Sequence, residues 1–168
     1  MLTIVQAETP EQIQRFQELV AEYKAWDLAM SGTMGLDVET LLDFGYKESF
    51  DELLAEFAPP SGRLLLARFE GQVAGCAGLR RLSSEIGEMK RVYVRPAFRR
   101  KGLGRALIEG VIAAARLIGY GKLRLETANF MEGAQALYRS LGFELIEPYR
   151  EIPDVMKHLG VFMELNLD

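Results

Sequence analysis

The chain has 168 residues, of which 49% are hydrophobic and 26% charged, with a formal net charge of -4. This length predicts one domain with its own core, and the acidic balance disfavours a nucleic-acid partner. A single cysteine, Cys76, and a single histidine, His158, exclude an internal disulfide and any zinc site built from several such ligands. No stretch resembles a secretory signal or is apolar enough to span a bilayer, so we expect a cytoplasmic protein without a membrane partner.

The first sixty residues predict one short strand followed by helices. Leu2–Val5 is apolar enough for a strand, and Thr9-Pro10-Glu11-Gln12 has the capping-box pattern of a helix start. Ser31-Gly32 interrupts this helix, and a second helical region runs irregularly from Asp37 to Phe57. Pro59-Pro60 then ends the helical part of the chain.

After Gly62 the pattern changes to short apolar strands that alternate with helices. Glu70-Gly71 joins the first two strands as a hairpin, and Gly142 ends the last helix. The predicted elements in chain order are the strands Leu64–Phe69, Gln72–Leu79 and Glu88–Val94, the helix Leu103–Ile118, the strand Lys122–Thr127, the helix Met131–Leu141, and the strands Phe143–Ile146 and Val161–Leu167. This order predicts a single α/β domain over residues 1–168, with a mixed sheet and helices on both faces.

The loop before the helix at Leu103 carries the strongest local concentration of positive charge. Arg99-Arg100-Lys101 precedes Gly102-Leu103-Gly104, and Arg105 follows. The first turn of a helix has unpaired N–H groups and a positive dipole end, and glycines let a ligand approach the backbone closely. The loop therefore predicts an anion site, most naturally for phosphate. The alternative is a basic helix start whose glycines serve packing alone.

Two common phosphate-binding motifs do not fit this loop. A Walker motif needs a Lys-Ser/Thr pair after its last glycine, but Gly104 is followed by Arg105-Ala106. A dinucleotide fingerprint needs a third glycine or an alanine where this chain has Leu107. A nucleotide-binding protein that uses this turn is therefore the disfavoured alternative.

The spacing Arg99-x-x-Gly102-x-Gly104, after the strand Met89–Val94, resembles the acyl-CoA signature of the GNAT superfamily of N-acetyltransferases. A second segment, Ala134–Phe143 with Asn129 before it, resembles the family's second cofactor motif. The clear match covers about residues 88–146, and the preceding hairpin extends the cofactor half to about 63–146. The earlier part of the chain usually shapes the acceptor site in this family.

The resemblance implies a mixed, mostly antiparallel sheet with a central splayed strand pair, and acetyl-CoA as co-substrate without a metal. Backbone amides in the loop would hold the pyrophosphate, and the end of the preceding strand would pair with the pantetheine arm. The cofactor-binding residues implied in this way are Val92, Tyr93, Val94, Arg99, Arg100, Lys101, Gly102, Leu103, Gly104, Arg105, Asn129 and Tyr138.

Three side chains match positions with a role in the family. Tyr138 resembles the general acid that protonates the departing sulfur, with a purely packing tyrosine as the alternative. Glu88 resembles a base that often works through water; the alternatives are a solvated strand-end carboxylate and one that only attracts a cationic amine. Asn129 resembles a residue that contacts pantetheine or orders a water, and it also suits a helix N-cap or a turn.

The resemblance predicts an acetyltransferase that moves the acetyl group of acetyl-CoA to a primary amine by direct attack in a ternary complex. No enzyme nucleophile is needed, so the lack of a reactive cysteine or histidine does not oppose this chemistry. A small-molecule amine is favoured as acceptor over a peptide, and a homodimer is compatible with the family. The alternative is a non-catalytic acyl-CoA-binding or regulatory module on the same fold.

Overall fold

A seven-stranded sheet forms the centre of the computed structural model, which describes residues 1–168. In chain order the elements are β1 (Leu2–Gln6), α1 (Pro10–Thr33), α2 (Val38–Gly45), α3 (Phe50–Phe57), β2 (Arg63–Phe69), β3 (Gln72–Arg81), β4 (Ile86–Val94), α4 (Leu103–Ile118), β5 (Lys122–Ala128), α5 (Glu132–Ser140), β6 (Glu144–Ile146) and β7 (Gly160–Asn166). The strands are ordered β1-β2-β3-β4-β5-β7-β6 across the sheet, and every neighbouring pair is antiparallel except β4 and β5. The prediction of a mixed, mostly antiparallel sheet is confirmed.

Local sequence signals explain most of the element boundaries. The Thr9 side chain accepts a hydrogen bond from the Gln12 amide, and the Gln12 side chain accepts one from the Thr9 amide, as the capping box predicts. Helix α4 has the predicted bounds and ends at Gly119 in a left-handed conformation. The region predicted as one irregular helix consists of two, because Asp37 and Ser49 each cap a separate helix start.

Apolar side chains on both faces of the sheet make the core. On one face, α4 buries a stripe that includes Leu107, Val111 and Ala115 against the inner strands. On the other face, α1 and α3 bury Phe16 and Phe57 in a smaller cluster. None of the helices combines the length and apolar character that crossing a membrane requires.

Strands β4 and β5 separate shortly after they pair. Three positions are in register, Ile86 with Lys122, Gly87 with Leu123 and Glu88 with Arg124. Beyond them β4 continues to Val94 and β5 to Ala128 without pairing to each other. The central splayed pair that the resemblance implied is therefore present, and it opens a cleft in the middle of the sheet.

A β-bulge in β4 lies beside this cleft. The register with β3 shifts between the pairs Gly78–Lys90 and Cys76–Tyr93, and Arg91 has a φ of 58°. A bulge adds one residue to a strand, which bends it and changes the face to which the next side chains point. The bulge therefore controls which side chains of β4 reach the cleft.

Candidate active site

The first of two cavities at the cleft has a volume of about 670 Å³. The end of β4, the loop before α4, the first turn of α4 and helix α5 form its walls. The residues predicted to bind the cofactor that line it are Val92, Tyr93, Val94, Arg99, Arg100, Gly102, Leu103, Gly104, Arg105 and Tyr138. The structure thus brings together most of a set that lies scattered over almost fifty residues of sequence.

The loop before α4 presents a run of unused hydrogen-bond donors. The backbone N–H groups from Arg100 to Arg105 donate to no backbone acceptor in the chain. Arg100 has a φ of 63° and Gly102 a φ of 86°, and Gly102 caps α4 without any side-chain bond. Left-handed residues in such a loop turn successive N–H groups toward one concave side, where an anion fits. These donors fit a pyrophosphate group.

Gly104 keeps this concave side open. A Cβ atom built at Gly104 would meet only Leu137 Cδ2, at 3.7 Å, which is an ordinary van der Waals contact. The fold therefore does not require glycine at this position for its own packing. A close approach of a ligand to the backbone is the remaining reason for it.

The structure does not place two of the predicted cofactor side chains at the cavity. Lys101 is exposed, and its Nζ lies 5.6 Å from the centre of the Phe69 ring, so only its backbone amide belongs to the donor run. The Asn129 Nδ2 donates to the His158 carbonyl oxygen at 2.9 Å, and the Asn129 amide donates to Leu159. Asn129 therefore ties the end of β5 to the segment before β7, and Met131 is the N-cap of α5.

Tyr138 stands on α5 where that helix borders the cavity. It is 7% exposed, and its ring packs edge-on against Phe143 with centroids 5.8 Å apart. Burial raises the pKa of the Tyr138 phenol to about 12, so the hydroxyl is protonated at neutral pH. This arrangement leaves a proton donor on the wall of the cavity.

A second cavity, of about 140 Å³, lies on the other side of the cleft. Helices α1 and α2, strands β4 and β5, and the segment before β7 form its walls. Tyr23, Phe130 and Met131 line both cavities, so the two meet at these residues. The arrangement allows a molecule in one cavity to react with a molecule in the other.

Glu88 lines the second cavity as a buried carboxylate. It is 3% exposed, in the interior of β4, so a solvated strand-end carboxylate is the wrong interpretation. Its Oε1 accepts a hydrogen bond from Arg80 Nε at 2.8 Å, and its Oε2 accepts one from the Tyr149 hydroxyl at 2.6 Å. Burial and the Glu88 charge raise the pKa of Tyr149, which keeps that hydroxyl a donor. The carboxylate is therefore held in one orientation.

Two further carboxylates, those of Glu126 and Asp27, line this cavity, and sequence patterns gave no signal for Asp27. Glu126 of β5 pairs with Arg150 at 2.9 Å, and burial raises the pKa of Glu126. Asp27 of α1 accepts hydrogen bonds from the Tyr46 hydroxyl at 2.6 Å and from the Ser31 hydroxyl at 3.3 Å. Asp27 lies one helical turn after Tyr23, a spacing that places both on one face of α1.

Comparisons with known proteins agree with this geometry. Residues 23–143 match the family described as the acetyltransferase (GNAT) family. An uncharacterized N-acetyltransferase of Schizosaccharomyces pombe is 31% identical over 173 residues, which cover 99% of this chain and 95% of the relative. The crystal structure of a GNAT-family acetyltransferase from Staphylococcus aureus superposes with a TM-score of 0.73 at 18% identity, over 100% of both chains. That of a GNAT-family acetyltransferase from Elizabethkingia anophelis with acetyl-CoA bound gives 0.62 at 24%, over 98% of this chain and 97% of the other.

Proposed function

The chain belongs to the GNAT family of acetyltransferases, and we propose that it acetylates the amine of a small molecule in preference to that of a protein. It is an acetyl-CoA-dependent N-acetyltransferase that acts on an amine acceptor. The observation that carries the proposal is the junction of a large cavity fitted to the cofactor with a small charged one, at Tyr23, Phe130 and Met131. A cavity of about 150 Å³ holds a molecule the size of benzene, so the second cavity suits a small acceptor.

The large cavity supports a definite placement of acetyl-CoA. The free N–H groups from Arg100 to Arg105 would receive the pyrophosphate, and Arg99, Arg100 and Arg105 would add positive charge around it. The edge of β4 at Val92–Val94, which β5 leaves unpaired, would pair with the pantetheine amides as an added strand does. This placement directs the thioester toward the junction of the cavities.

The reaction forms a bond between the acceptor nitrogen and the acetyl carbonyl carbon and breaks the bond from that carbon to sulfur. We propose that Tyr138 donates its phenolic proton to the departing sulfur, because it lines the cofactor cavity and burial raises the pKa of its phenol to about 12, so the proton is present at neutral pH. After the nitrogen has attacked, it loses a second proton, which restores the phenol or passes to solvent. Both substrates are present together, so no covalent enzyme intermediate forms.

An alkylamine has a pKa of about 10.4, so at neutral pH it is an ammonium ion and must lose one proton before it attacks. We propose Glu88 as the acceptor of this proton through an intervening water. Its carboxylate faces the acceptor cavity, and the bonds from Arg80 and Tyr149 hold it there. Those two bonds use one lone pair on each oxygen, so a further hydrogen bond from water can still be accepted.

An acetyl-CoA turnover screen tests the proposed function. The protein is mixed with acetyl-CoA and either a pool of small primary amines or a pool of peptides, and the release of CoA and the acetylated product are measured. The proposal predicts acetylated small amines and little peptide product. Turnover confined to peptides contradicts the preference for small molecules. Binding of acetyl-CoA without turnover in either pool would favour a non-catalytic module.

A further inference from the structure

The bulge in β4 brings two adjacent cations to the acceptor cavity. Successive side chains of a strand alternate between faces, which would separate Lys90 from Arg91. The bulge interrupts this alternation, and both residues line the cavity. Arg91 Nη2 donates to the Gly45 carbonyl oxygen at 2.9 Å, on the α2 side of the cavity. The bulge therefore places the positive charges of Lys90 and Arg91 in the acceptor cavity.

Most of the charges in the cavity already have a partner. Glu88 pairs with Arg80, Glu126 with Arg150, and Arg91 with Glu48 at 3.6 Å. Two charges have none: no carboxylate lies within 4.0 Å of the Lys90 ammonium group, and no cation lies within 4.0 Å of the Asp27 carboxylate. The unpaired charges of the cavity are thus one positive and one negative group.

Lys90 is poorly placed to remain charged without an anion. The charged groups around it are Glu88 and Arg91 on β4, Arg80 on β3, Arg150 in the segment before β7, and Glu126 on β5. Burial, with the nearby guanidinium groups of Arg80 and Arg91, lowers the pKa of the Lys90 ammonium to about 8. The adjacent Arg91 is 9% exposed, and its Nε is buried without a hydrogen-bond partner. Buried donors of this kind are stabilised when an anion binds beside them.

Asp27 is close to the point of transfer. It lies one turn after Tyr23, which lines both cavities, and burial together with the Asp27 charge raises the pKa of Tyr23. A carboxylate in this position attracts an ammonium group toward the thioester. Lys90 lies near Glu126 and Arg150, which form the other charged group of residues in the acceptor cavity.

We propose that the acceptor is an amino acid, whose carboxylate binds Lys90 and whose amine approaches Asp27 before it is acetylated. This inference rests on the proposed function, because it assigns the substrate class of the same acceptor cavity. The amine and the carboxylate of one small molecule complement the two charges that the protein leaves unpaired. The cavity volume of about 140 Å³ restricts the part of the acceptor that it encloses to a few heavy atoms.

Matched acceptor pairs test the proposal. The value of kcat/KM for acetyl transfer is measured for glycine against methylamine, β-alanine against ethylamine and 4-aminobutyrate against propylamine, with glycinamide as an uncharged comparison. At least one amino acid is expected to exceed its amine by about 10- to 100-fold, the range for a charge-assisted hydrogen bond. Lys90→Gln is expected to remove this preference, and Lys90→Arg to restore much of it. Lys47→Gln changes an exposed lysine outside both cavities and is the matched control.

The outcomes separate this inference from the proposed function. Turnover of the simple amines without any preference for the amino acids, or a preference that Lys90→Gln leaves intact, overturns the inference alone. If no small amine is acetylated, the proposed function fails, and a calorimetric titration of the same amino acids into the CoA complex then decides the inference. Binding that Lys90→Gln abolishes supports it, and an absence of binding overturns it.

Discussion

Glu88 and Arg124 form the last register pair between strands β4 and β5. Past this pair the two strands diverge; β4 lines both the acceptor cavity and the cofactor cavity, and β5 lines the acceptor cavity. The Glu88 carboxylate therefore stands where the sheet stops being continuous. The site therefore depends on the absence of hydrogen bonds between β4 and β5 beyond Glu88, as well as on the side chains around it.

Replacing Gly104 separates cofactor binding from stability. Gly104→Ala is expected to leave the melting temperature equal or slightly higher, because a Cβ meets no close neighbour and alanine favours a helix. The same methyl group obstructs the approach of the pyrophosphate to the backbone, so we expect the dissociation constant of acetyl-CoA to rise about tenfold, by the cost of roughly one lost hydrogen bond to a charged group. Gly32→Ala, in α1, is the control and should leave the affinity unchanged. Equal affinity in the Gly104 variant would remove the close-approach role.

Replacing Glu88 distinguishes a general base from a carboxylate that only attracts the cationic amine. Glu88→Gln is expected to reduce kcat/KM by about 100-fold and to alter the acidic limb of the pH–rate profile, because the proton acceptor is lost. Glu56→Gln removes the other carboxylate partner of Arg80 but lies outside the cavity, which makes it the matched control. A profile that keeps its shape in the Glu88 variant, at reduced rate, would assign Glu88 to charge attraction only.

The pKa of Lys90 gives acceptor recognition a pH dependence. Below about pH 8 the Lys90 side chain is an ammonium group that can bind a carboxylate, and above about pH 8 it becomes neutral. The kcat/KM preference for an amino acid over its matched amine should therefore decline as the pH rises through about 8. In Lys90→Arg the preference should persist, because a guanidinium keeps its charge. A preference that declines equally in both proteins would show that another group titrates.

Gly78 provides a test of the packing between β3 and α3. A Cβ at Gly78 would lie 2.8 Å from the ring of Phe57, which is 1% exposed and cannot move without displacing the core. Gly78→Ala is expected to destabilise the fold by about 1–3 kcal/mol, the usual cost of overpacking. Thermal unfolding should show a melting temperature lower by several degrees than that of Gly32→Ala. Equal melting temperatures would mean that α3 adjusts at no cost.

The sequence predicted the cofactor side better than the acceptor side, for physical reasons. The hairpin turn at Glu70-Gly71 and the bounds of α4 follow from local conformational preferences and apolar periodicity, which act within a few residues. Tyr138 and the donor loop carry motifs of fixed spacing. The acceptor cavity is instead built from contacts between distant elements, such as Glu88 with Tyr149, and no local pattern encodes these.

Two details depend on contacts between elements that are distant in the sequence. The bulge at Arg91 belongs to the register between β3 and β4, which no pattern within β4 alone encodes. Asn129 matches a cofactor motif by position, and its side-chain nitrogen donates a hydrogen bond to the His158 carbonyl oxygen. His158 lies in the segment before β7, and only the tertiary fold brings that segment next to Asn129.

The substitution Tyr138→Phe, with kcat and the dissociation constant of acetyl-CoA both measured, tests the central claim most directly. The ring and its packing on Phe143 are kept, and only the hydroxyl is removed. General acid catalysis contributes about 10²- to 10⁴-fold, so kcat is predicted to fall by at least about 100-fold while acetyl-CoA affinity changes by less than about threefold. An unchanged kcat would contradict the assignment of Tyr138 as the group that protonates the departing sulfur.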